Sequence, residues 1–359
     1  MGAEEKIQQI KEEMARTQVN KATEFHLGLL KAKIAKLKRD AAKPKSGIRD
    51  GGFAVRKTGD ATVVMVGLPS VGKSTILNSI TNADSRVAAY AFTTLTTVPG
   101  ILEHKGAKIQ VLDLPGILEG AASGRGRGKE VIAVARSADL VLIILDVFNT
   151  KVLPVIMNEL AEMGIRPDGK PPNIVLKKKH TGGININSTV KLTKLNERTI
   201  REILNVYEVH NSDILFHEDA DADRLIDYLV GNRVYIPLLV IVNKTDLVDP
   251  NYLKHLDFPH LAISAEKKAN LADLKEAIYK KLKLIRLYLR HRDGEVDYEE
   301  PMIIKQDAVI EDVCNKIHTD MVKTFKYAQV WGKSAHFGGE KAGLAHKLED
   351  GDVVLIVNK

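Results

Sequence analysis

The spacing of apolar residues changes along the chain and predicts where helices and strands lie. Between residues 3 and 41, apolar side chains recur every three or four positions, the period of an amphipathic helix. They are Ile7, Ile10 and Met14, followed by Leu27, Leu30, Ile34 and Leu37. We predict two helices, broken near Thr17 to Asn20. The second helix carries cations that either remain in water or face RNA or a partner: Lys31, Lys33, Lys36, Lys38 and Arg39.

Short continuous apolar runs, separated by helical patterns, begin near residue 61. These strand candidates are Thr62–Val66, Lys108–Leu112, Leu140–Asp146, Pro237–Val242 and Leu261–Ser264. Their alternation with helices predicts an α/β domain with a doubly wound, mostly parallel sheet. Ligands of such sheets bind beyond the carboxyl ends of the strands, so we expect the reactive residues at those ends.

The spacing of two strands indicates an insertion. Leu140–Asp146 and Pro237–Val242 lie roughly ninety residues apart, far more than one crossover helix needs. Between them we predict a small α+β subdomain with a strand at Asn173–Leu176. Two helices are predicted at 195–206 and 221–229. The basic run Lys177–His180 is either a solvated turn or an RNA contact.

The last part of the chain again mixes strands with a helix. Strands are predicted at Met302–Ile304, Tyr327–Gly332 and Val353–Val357, and a helix at Val309–His318. We therefore expect a separate compact domain. The predicted divisions are 1–60, 61–288 interrupted by 167–234, and 289–359.

Composition narrows the class of protein. The chain has 359 residues, 44% of them hydrophobic, which is enough for several domains with cores of their own. Its net charge of +7 favours a polyanionic partner such as RNA, although a plain solvated basic surface is the alternative. The single cysteine, Cys314, excludes an intrachain disulfide framework and is expected to be buried. No apolar run is long enough to span a membrane, so we expect a cytoplasmic protein without a membrane partner.

Residues 67–75 read Gly-Leu-Pro-Ser-Val-Gly-Lys-Ser-Thr, between a predicted strand and a helix. This order is typical of a phosphate-binding loop, whose backbone N–H groups and helix N-terminus face a polyphosphate. Lys73 can reach the β- and γ-phosphates, and Ser74 can bind Mg²⁺ through its hydroxyl. The residues predicted to contact nucleotide here are Pro69, Ser70, Val71, Gly72, Lys73, Ser74 and Thr75.

Two further segments complete the predicted phosphate and metal site. Asp113 follows a strand and can hold the Mg²⁺ hydration shell, while the Gly116 N–H can meet the γ-phosphate. A threonine between residues 90 and 100 can complete the metal coordination only when the γ-phosphate is present. We prefer Thr94 to Thr93, and the alternative for this stretch is an edge strand. Lys73, Thr94 and Gly116 are the predicted catalytic residues.

The segment Asn243-Lys244-Thr245-Asp246 closes the strand Leu238–Val242 and indicates guanine. The Asp246 carboxylate can accept hydrogen bonds from the guanine N1–H and amine, whereas adenine would leave it unpaired. Asn243 can reach the other edge of the ring, and the Lys244 stem can cover its face. After the last strand, Ser264 and Ala265 fit a loop whose N–H meets the guanine carbonyl oxygen.

The residues in and around these motifs resemble those of the developmentally regulated GTP-binding proteins of the Obg superfamily, over nearly the full length of the chain. The resemblance lies in Phe92–Gly100, Gly106–Gln110, Leu112–Ile117, Glu119–Ala121, Gly126–Gly128, Val131–Arg136 and Gly231–Pro237. It implies a helical N-terminal region and a GTPase domain carrying an insert similar to domain 2 of ribosomal protein S5. It further implies a C-terminal β-grasp TGS domain and a switch that acts with ribosomes or RNA.

One position departs from many switch GTPases. Ile117 stands where a glutamine often orients the attacking water, so we expect slow GTP hydrolysis. The missing group is either a residue of this chain or a K⁺ ion near the phosphate loop. Ser70 stands where K⁺-using relatives often carry asparagine. Arg125 and Arg127 either reach the transferring phosphate or belong to a solvated loop.

The leading interpretation is therefore a Mg²⁺-dependent switch that binds GTP and GDP. We expect a monomer that acts with ribosomes or RNA, and a regulatory protein partner. The alternative is a nucleotide-regulated RNA-binding scaffold with little hydrolysis. An ATP-using enzyme such as a kinase is disfavoured by Asn243–Asp246.

Overall fold

The computed structural model describes residues 3–18, 20, 23–42, 59–81, 99–114, 128–291, 293–318 and 320–358. The chain divides into two compact units. One unit contains Phe53–Asp168 and Ile236–Lys359, and the other contains Met1–Gly52 and Gly169–Tyr235. Among the residues described, no helix is long and apolar enough to cross a membrane.

The described strands and helices are numbered here in chain order. The strands are β1 (Ala61–Val66), β2 (Pro99–His104), β3 (Ala107–Asp113), β4 (Leu140–Asp146), β5 (Ile165–Pro167), β6 (Ile174–Lys178), β7 (Ile184–Ser188), β8 (Ser212–Phe216), β9 (Val234–Ile236), β10 (Leu238–Asn243), β11 (Leu261–Ala262), β12 (Leu284–Leu289), β13 (Met302–Lys305), β14 (Phe325–Trp331), β15 (Glu340–Ala342) and β16 (Val353–Asn358). The helices are α1 (Ala3–Arg16), α2 (Glu24–Ala42), α3 (Lys73–Ile80), α4 (Gly128–Ser137), α5 (Leu153–Glu162), α6 (Glu197–Val206), α7 (Ala222–Val230), α8 (Pro250–Leu253), α9 (Leu271–Leu282), α10 (Ile310–Ile317) and α11 (Met321–Thr324).

The first unit contains a six-stranded sheet in the order β11-β10-β4-β1-β3-β2. Every neighbouring pair is parallel except β2 and β3, which pair antiparallel. Val63 and Met65 of β1 pack in one core with α3 and α9, while Val64 and Val66, which alternate with them along β1, are equally buried. Burial on both faces explains why the strands read as continuous apolar runs. The structure confirms the predicted doubly wound sheet.

The edge strand β2 was not predicted as a strand in its own right. Its sequence, Pro-Gly-Ile-Leu-Glu-His, begins with two residues that disfavour strands. The strand forms because it pairs with β3 over its whole length, from Pro99 opposite Leu112 to His104 opposite Ala107. Its local sequence alone does not favour a strand.

The C-terminal part of this unit is a second sheet, in the order β13-β12-β16-β14-β15. Strands β12 and β16 are parallel, and the other pairs are antiparallel. Helix α10 packs Val313 and Cys314 into the core, and Cys314 is fully buried as expected. We placed the start of this domain at 289, but β12 already belongs to its sheet from Leu284. No loop-forming segment marks this boundary in the sequence. Lys283 ends α9 with a φ of 51°, and β12 begins at the next residue.

The second unit contains two regions that are far apart in the sequence, the N-terminal helices and the insert. Its sheet, in the order β6-β8-β7, packs against α6 and α7, and the first of these strands runs two residues further than predicted, through Lys178. Ala32 and Ala35 of α2 are buried in the same core. The N-terminal helices and the insert thus form one packed body instead of separate regions 1–60 and 167–234.

Two cations of the predicted basic helix are used inside this unit. Lys31 Nζ lies 2.7 Å from Asp223 Oδ2, and Lys36 Nζ lies 2.6 Å from Glu208 Oε1. Their partners, Asp223 and Glu208, belong to the insert. The helix therefore faces the protein itself with these two lysines, which weakens its interpretation as an RNA-facing arm.

The substitution Ala32→Leu should destabilise the second unit. Ala32 is fully buried, and its carbonyl accepts a hydrogen bond of 3.4 Å from the Tyr207 hydroxyl. Three added carbon atoms would overpack the core around Ala32 and lower the free energy of unfolding by about 1–3 kcal/mol. Urea denaturation followed by circular dichroism measures the change. Ala41→Leu is the matched control on an exposed position of the same helix; equal midpoints for the two variants would contradict the packing.

Candidate functional site

The loop between β1 and α3 has the shape that binds phosphates because two glycines allow it. A Cβ at Gly67 would lie 2.4 Å from the Ile144 carbonyl oxygen of β4. Gly72 has a φ of 93°, and a Cβ there would lie 2.4 Å from Asn243 Nδ2. Any other residue at Gly67 would clash with the backbone of β4, and any other residue at Gly72 would clash with the buried side-chain amide of Asn243. The loop therefore lies directly against the sheet at Gly67, and Gly72 leads it into the N-terminus of α3.

Lys73 is held across this loop. Its Nζ donates hydrogen bonds of 3.0 Å to the carbonyl oxygens of Gly67 and Leu68. These bonds leave the ammonium with a third donor and place its charge at the start of α3, where the helix dipole is also positive. The side chains of Pro69, Ser70, Ser74 and Thr75 are exposed around it. The arrangement can bind a polyanion.

Asp113, at the end of β3, lies beside the loop and fits a metal ion. Its Oδ1 atom is buried and has no hydrogen-bond partner in the described part of the chain. Burial raises the pKa of this carboxyl, while the charge of Lys73 and a hydrogen bond from Ser74 oppose the rise. A buried carboxylate oxygen without a partner is a good ligand for Mg²⁺ or its hydration water. Ser74 and Asp113, predicted as metal ligands, are thus brought together.

The other predicted switch residues lie outside the described residues. These are Thr93 and Thr94, Gly116 with Ile117, and Arg125 with Arg127. Their proposed contacts remain predictions.

Asn243 joins three segments of the site. The side chain is 3% exposed; its Nδ2 donates to the Val71 carbonyl (2.9 Å), and its Oδ1 accepts from the Ala265 N–H (3.0 Å). We expected Asn243 at the edge of the base and the Ala265 N–H on the guanine oxygen, but in the structure these two groups bond to each other. The bonds tie the phosphate loop to the end of β10 and to the loop after β11.

Lys244 is oriented by a residue that sequence reasoning missed. It has a φ of 64°, and its Nζ lies 2.5 Å from Oδ2 of Asp146, which ends the neighbouring strand β4. The ion pair stretches the lysine stem along the site. A carboxylate at the carboxyl end of a buried parallel strand was the available signal for Asp146.

These segments enclose a pocket of about 90 Å³. It brings together the predicted Gly72, Thr75, Asn243, Lys244, Asp246, Ser264 and Ala265, together with Leu247 and Glu266, which were not predicted. Asp246 is exposed at its rim, and its carboxylate is accessible to a ligand. A small planar group with hydrogen-bond donors on one edge fits this combination of carboxylate, amide and apolar side chain.

Gly72→Ala should weaken nucleotide binding. The left-handed conformation costs a non-glycine residue about 1–2 kcal/mol, and the methyl group would displace the Asn243 amide that joins the loops. We expect the affinity for a fluorescent guanine nucleotide to fall about 10- to 100-fold in a titration.

The matched control is Gly343→Ala, where a Cβ would meet no atom within 4 Å. It should bind nucleotide like the unmodified protein. An unchanged affinity in Gly72→Ala would show that the loop does not need this close approach.

Comparisons with known proteins indicate the family of the chain. Residues 62–178 match the family model described as 50S ribosome-binding GTPase, and residues 181–284 match the C-terminal region of MMR_HSR1 domain. Residues 285–358 match the TGS domain. One structural neighbour is a YchF GTPase of Schizosaccharomyces pombe, with 14% identity, a TM-score of 0.46 and coverage of 84% of this chain and 99% of that chain. That similarity is too weak to add to the fold described above.

Much closer relatives cover the whole chain. An uncharacterized GTP-binding protein of Methanocaldococcus jannaschii is 53% identical, over 100% of this chain and 94% of that protein. Developmentally-regulated GTP-binding protein 1 of Xenopus laevis is 50% identical, over 99% of this chain and 98% of that protein. The human developmentally-regulated GTP-binding protein 2 is 46% identical, over 100% of both chains. Since such identity extends along the full length, the chain belongs to the developmentally regulated GTP-binding proteins, a family of GTPases with a C-terminal TGS domain.

Proposed function

We propose that this GTPase is a Mg²⁺-dependent molecular switch with slow intrinsic turnover, which acts on ribosomes or RNA. The nucleotide-binding part of this proposal is supported above all by the two hydrogen bonds of the Asn243 side chain. One buried amide holds the phosphate loop, through Val71, against the segment that ends in Asp246. This supports the proposal that the groups for phosphate and for the base belong to one site.

Hydrolysis in this site is positioning and charge stabilisation. Lys73 would bind the β- and γ-phosphate oxygens with the donor left free by its two bonds to the loop. The backbone N–H groups from Ser70 to Ser74 would bind the remaining phosphate oxygens. Ser74 and Asp113 would hold Mg²⁺, which when bound neutralises charge on the phosphates. Thr94 and Gly116 are proposed to close over the γ-phosphate.

Slow turnover follows from Ile117, since an aliphatic side chain cannot orient the attacking water. A K⁺ ion at the phosphate loop remains one candidate for the missing group, although Ser70 replaces the asparagine often found with that ion. An arginine from Arg125 or Arg127 is the other candidate. Either the K⁺ ion or an arginine would have to lie close to the oxygen that bridges the β- and γ-phosphates to stabilise the transition state.

Asp246→Asn should change base preference. The amide can no longer accept two hydrogen bonds from guanine, so the affinity for GTP should fall about 100-fold or more. Xanthosine triphosphate, whose base presents a carbonyl oxygen where guanine has its amine, should bind better to the variant than to the unmodified protein. Competition titrations with a labelled nucleotide measure both, with ATP as a third competitor.

Asp249→Asn is the matched control, because Asp249 caps α8 and asparagine caps equally well. It should keep the preference for GTP. If ATP competes as well as GTP in the unmodified protein, or if Asp246→Asn still prefers GTP, the assigned role of Asp246 is wrong.

The ribosome or RNA part rests on different support. The net charge is +7, and the matching family is described as ribosome-binding. The exposed run Lys177–His180 adds local positive charge, although Lys179 pairs with Asp213. We propose a cytoplasmic monomer whose appendages contact RNA and whose turnover is set by a protein partner. The second candidate function is a nucleotide-regulated RNA scaffold with little hydrolysis.

Binding to ribosomes should weaken as salt rises. Each phosphate contact releases condensed counterions, so two contacts predict about a tenfold loss of affinity between roughly 50 and 200 mM salt. Co-sedimentation with ribosomes in the presence of a non-hydrolysable GTP analogue measures the slope. Parallel nucleotide titrations over the same salt range serve as the control. Salt-independent binding would indicate a protein contact, and no binding at low salt would contradict the proposal.

A further inference from the structure

The C-terminal domain contacts the GTPase sheet at the edge opposite the phosphate loop. Asp60 lies just before β1, and its Oδ1 accepts a hydrogen bond of 2.9 Å from Lys316 Nζ of α10. Asp139 lies just before β4, and its Oδ1 is 3.2 Å from Lys305 Nζ of β13. Strands β1 and β4 are parallel, so both contacts lie at amino ends, whereas the phosphate loop and Asp146 lie at carboxyl ends. The domain therefore holds the sheet from the side away from the nucleotide site.

Asp60 connects the C-terminal domain to β3 as well as to β1. Its Oδ2 accepts a hydrogen bond of 3.0 Å from the Lys108 N–H, and its own N–H donates one of 2.8 Å to the Lys108 carbonyl. The Lys316 ammonium that pairs with Asp60 also donates a hydrogen bond of 2.5 Å to the Ile303 carbonyl of β13. The side chains of Lys316 and Asp60 thus connect β13 with the amino end of β3.

The turn between β2 and β3 packs against the same domain. Lys105 and Gly106 form this turn, with φ angles of 52° and 82°. A Cβ at Gly106 would lie 2.5 Å from Cγ of Pro301, the residue before β13, so only glycine permits this approach. Ile303 of β13 is 2% exposed and belongs to the same apolar core as β1 and β3. The beginning of β3 is therefore in direct contact with the C-terminal domain.

The other end of β3 carries a carboxylate that is costly to hold in place. Asp113 lies five residues after Lys108, about 17 Å along the strand. Its buried Oδ1 has no hydrogen-bond partner among the described residues, and such a group favours conformations that return it to water. Since β3 pairs with β1 as far as Met65 opposite Asp113, a shift of β3 would move the carboxylate away from Ser74. Contacts that fix the amino end of β3 oppose such a shift.

We propose that Lys316, acting through Asp60, is a positioning residue for the metal site, because docking of the C-terminal domain on the amino end of β3 holds Asp113 where Mg²⁺ binds with the nucleotide. The proposal rests on the Mg²⁺ site proposed above and adds the residues that support this site from the opposite edge of the sheet. The coupling is reciprocal. Docking strengthens Mg²⁺ binding, and Mg²⁺ with nucleotide strengthens docking by the same factor.

Lys316→Ala should weaken the effect of Mg²⁺ on nucleotide binding. In titrations with a fluorescent GDP analogue, the free Mg²⁺ concentration that gives half of the increase in affinity should rise about fivefold, a usual size for remote coupling. Affinity in EDTA should stay within about twofold. The amino end of β1 remains held by Asp139, whose Oδ2 accepts a hydrogen bond of 3.0 Å from the Thr62 N–H.

Two further variants separate this coupling from general stability. Lys316→Arg keeps a cation that can donate to Asp60 and to the Ile303 carbonyl, so it should restore the unmodified Mg²⁺ dependence. The matched control, Lys323→Ala, removes a lysine of the same domain that pairs with Asp320 at 2.6 Å and not with the GTPase sheet. It should leave the Mg²⁺ dependence unchanged. Thermal unfolding in EDTA shows that each variant is folded.

Hydrogen exchange tests the reciprocal effect without any substitution. The amides of β13 and α10 should exchange about fivefold more slowly with Mg²⁺ and GDP than with saturating GDP in EDTA. The amides of β6, in the second unit, are the control and should exchange equally under both conditions.

Three outcomes would overturn the proposal. The first is an unchanged Mg²⁺ dependence in Lys316→Ala, and the second is an equal change in Lys316→Ala and Lys323→Ala. The third is equal exchange of β13 with and without Mg²⁺. If Mg²⁺ does not strengthen nucleotide binding in the unmodified protein, the proposed metal site is itself wrong, and the positioning role of Lys316 fails with it.

Discussion

The candidate nucleotide site depends on one buried amide. Asn243 sits at the end of β10, accepts from the Ala265 N–H and donates to the Val71 carbonyl. Each bond contributes only about 1 kcal/mol net, but losing one partner would leave a buried polar group unsatisfied at a cost of about 1–3 kcal/mol. The close approach of Gly72 to the same amide follows from this arrangement, since only glycine leaves room for it. Three loops that are far apart in the sequence are thereby fixed relative to each other.

The parallel sheet makes that junction possible. Strands β1, β3, β4 and β10 are adjacent, so their carboxyl ends deliver the phosphate loop, Asp113, Asp146 and the Asn243 segment to one edge. Charges meet there in complementary pairs: Lys244 with Asp146, and Lys73 near Asp113. Burial raises the pKa of Asp113, and the adjacent charge of Lys73 opposes the rise. The same edge thus gathers the residues predicted to bind phosphates and those predicted to select the base.

The C-terminal and inserted regions offer surfaces of different character. The insert packs against α2, and its acidic residues form ion pairs with Lys31 and Lys36 of that helix. The C-terminal sheet, in contrast, holds Arg290 and Lys341 over aromatic rings on a face that α10 leaves uncovered. Basic composition alone did not distinguish these two situations.

The sequence by itself determined the sheet, the phosphate loop, the likeness to guanine-specific GTPases and the buried state of Cys314. It could do so because these depend on local order: continuous apolar runs, glycines at fixed spacing and motifs in a fixed sequence along the chain. It missed the edge strand β2, the start of β12 at Leu284, the role of Asp146 and the hydrogen bond between Asn243 and Ala265. It also missed the joining of the N-terminal helices to the insert. Each of these arises from contacts between residues far apart in the chain, where neighbouring strands or helices, and not local preference, decide what a side chain touches.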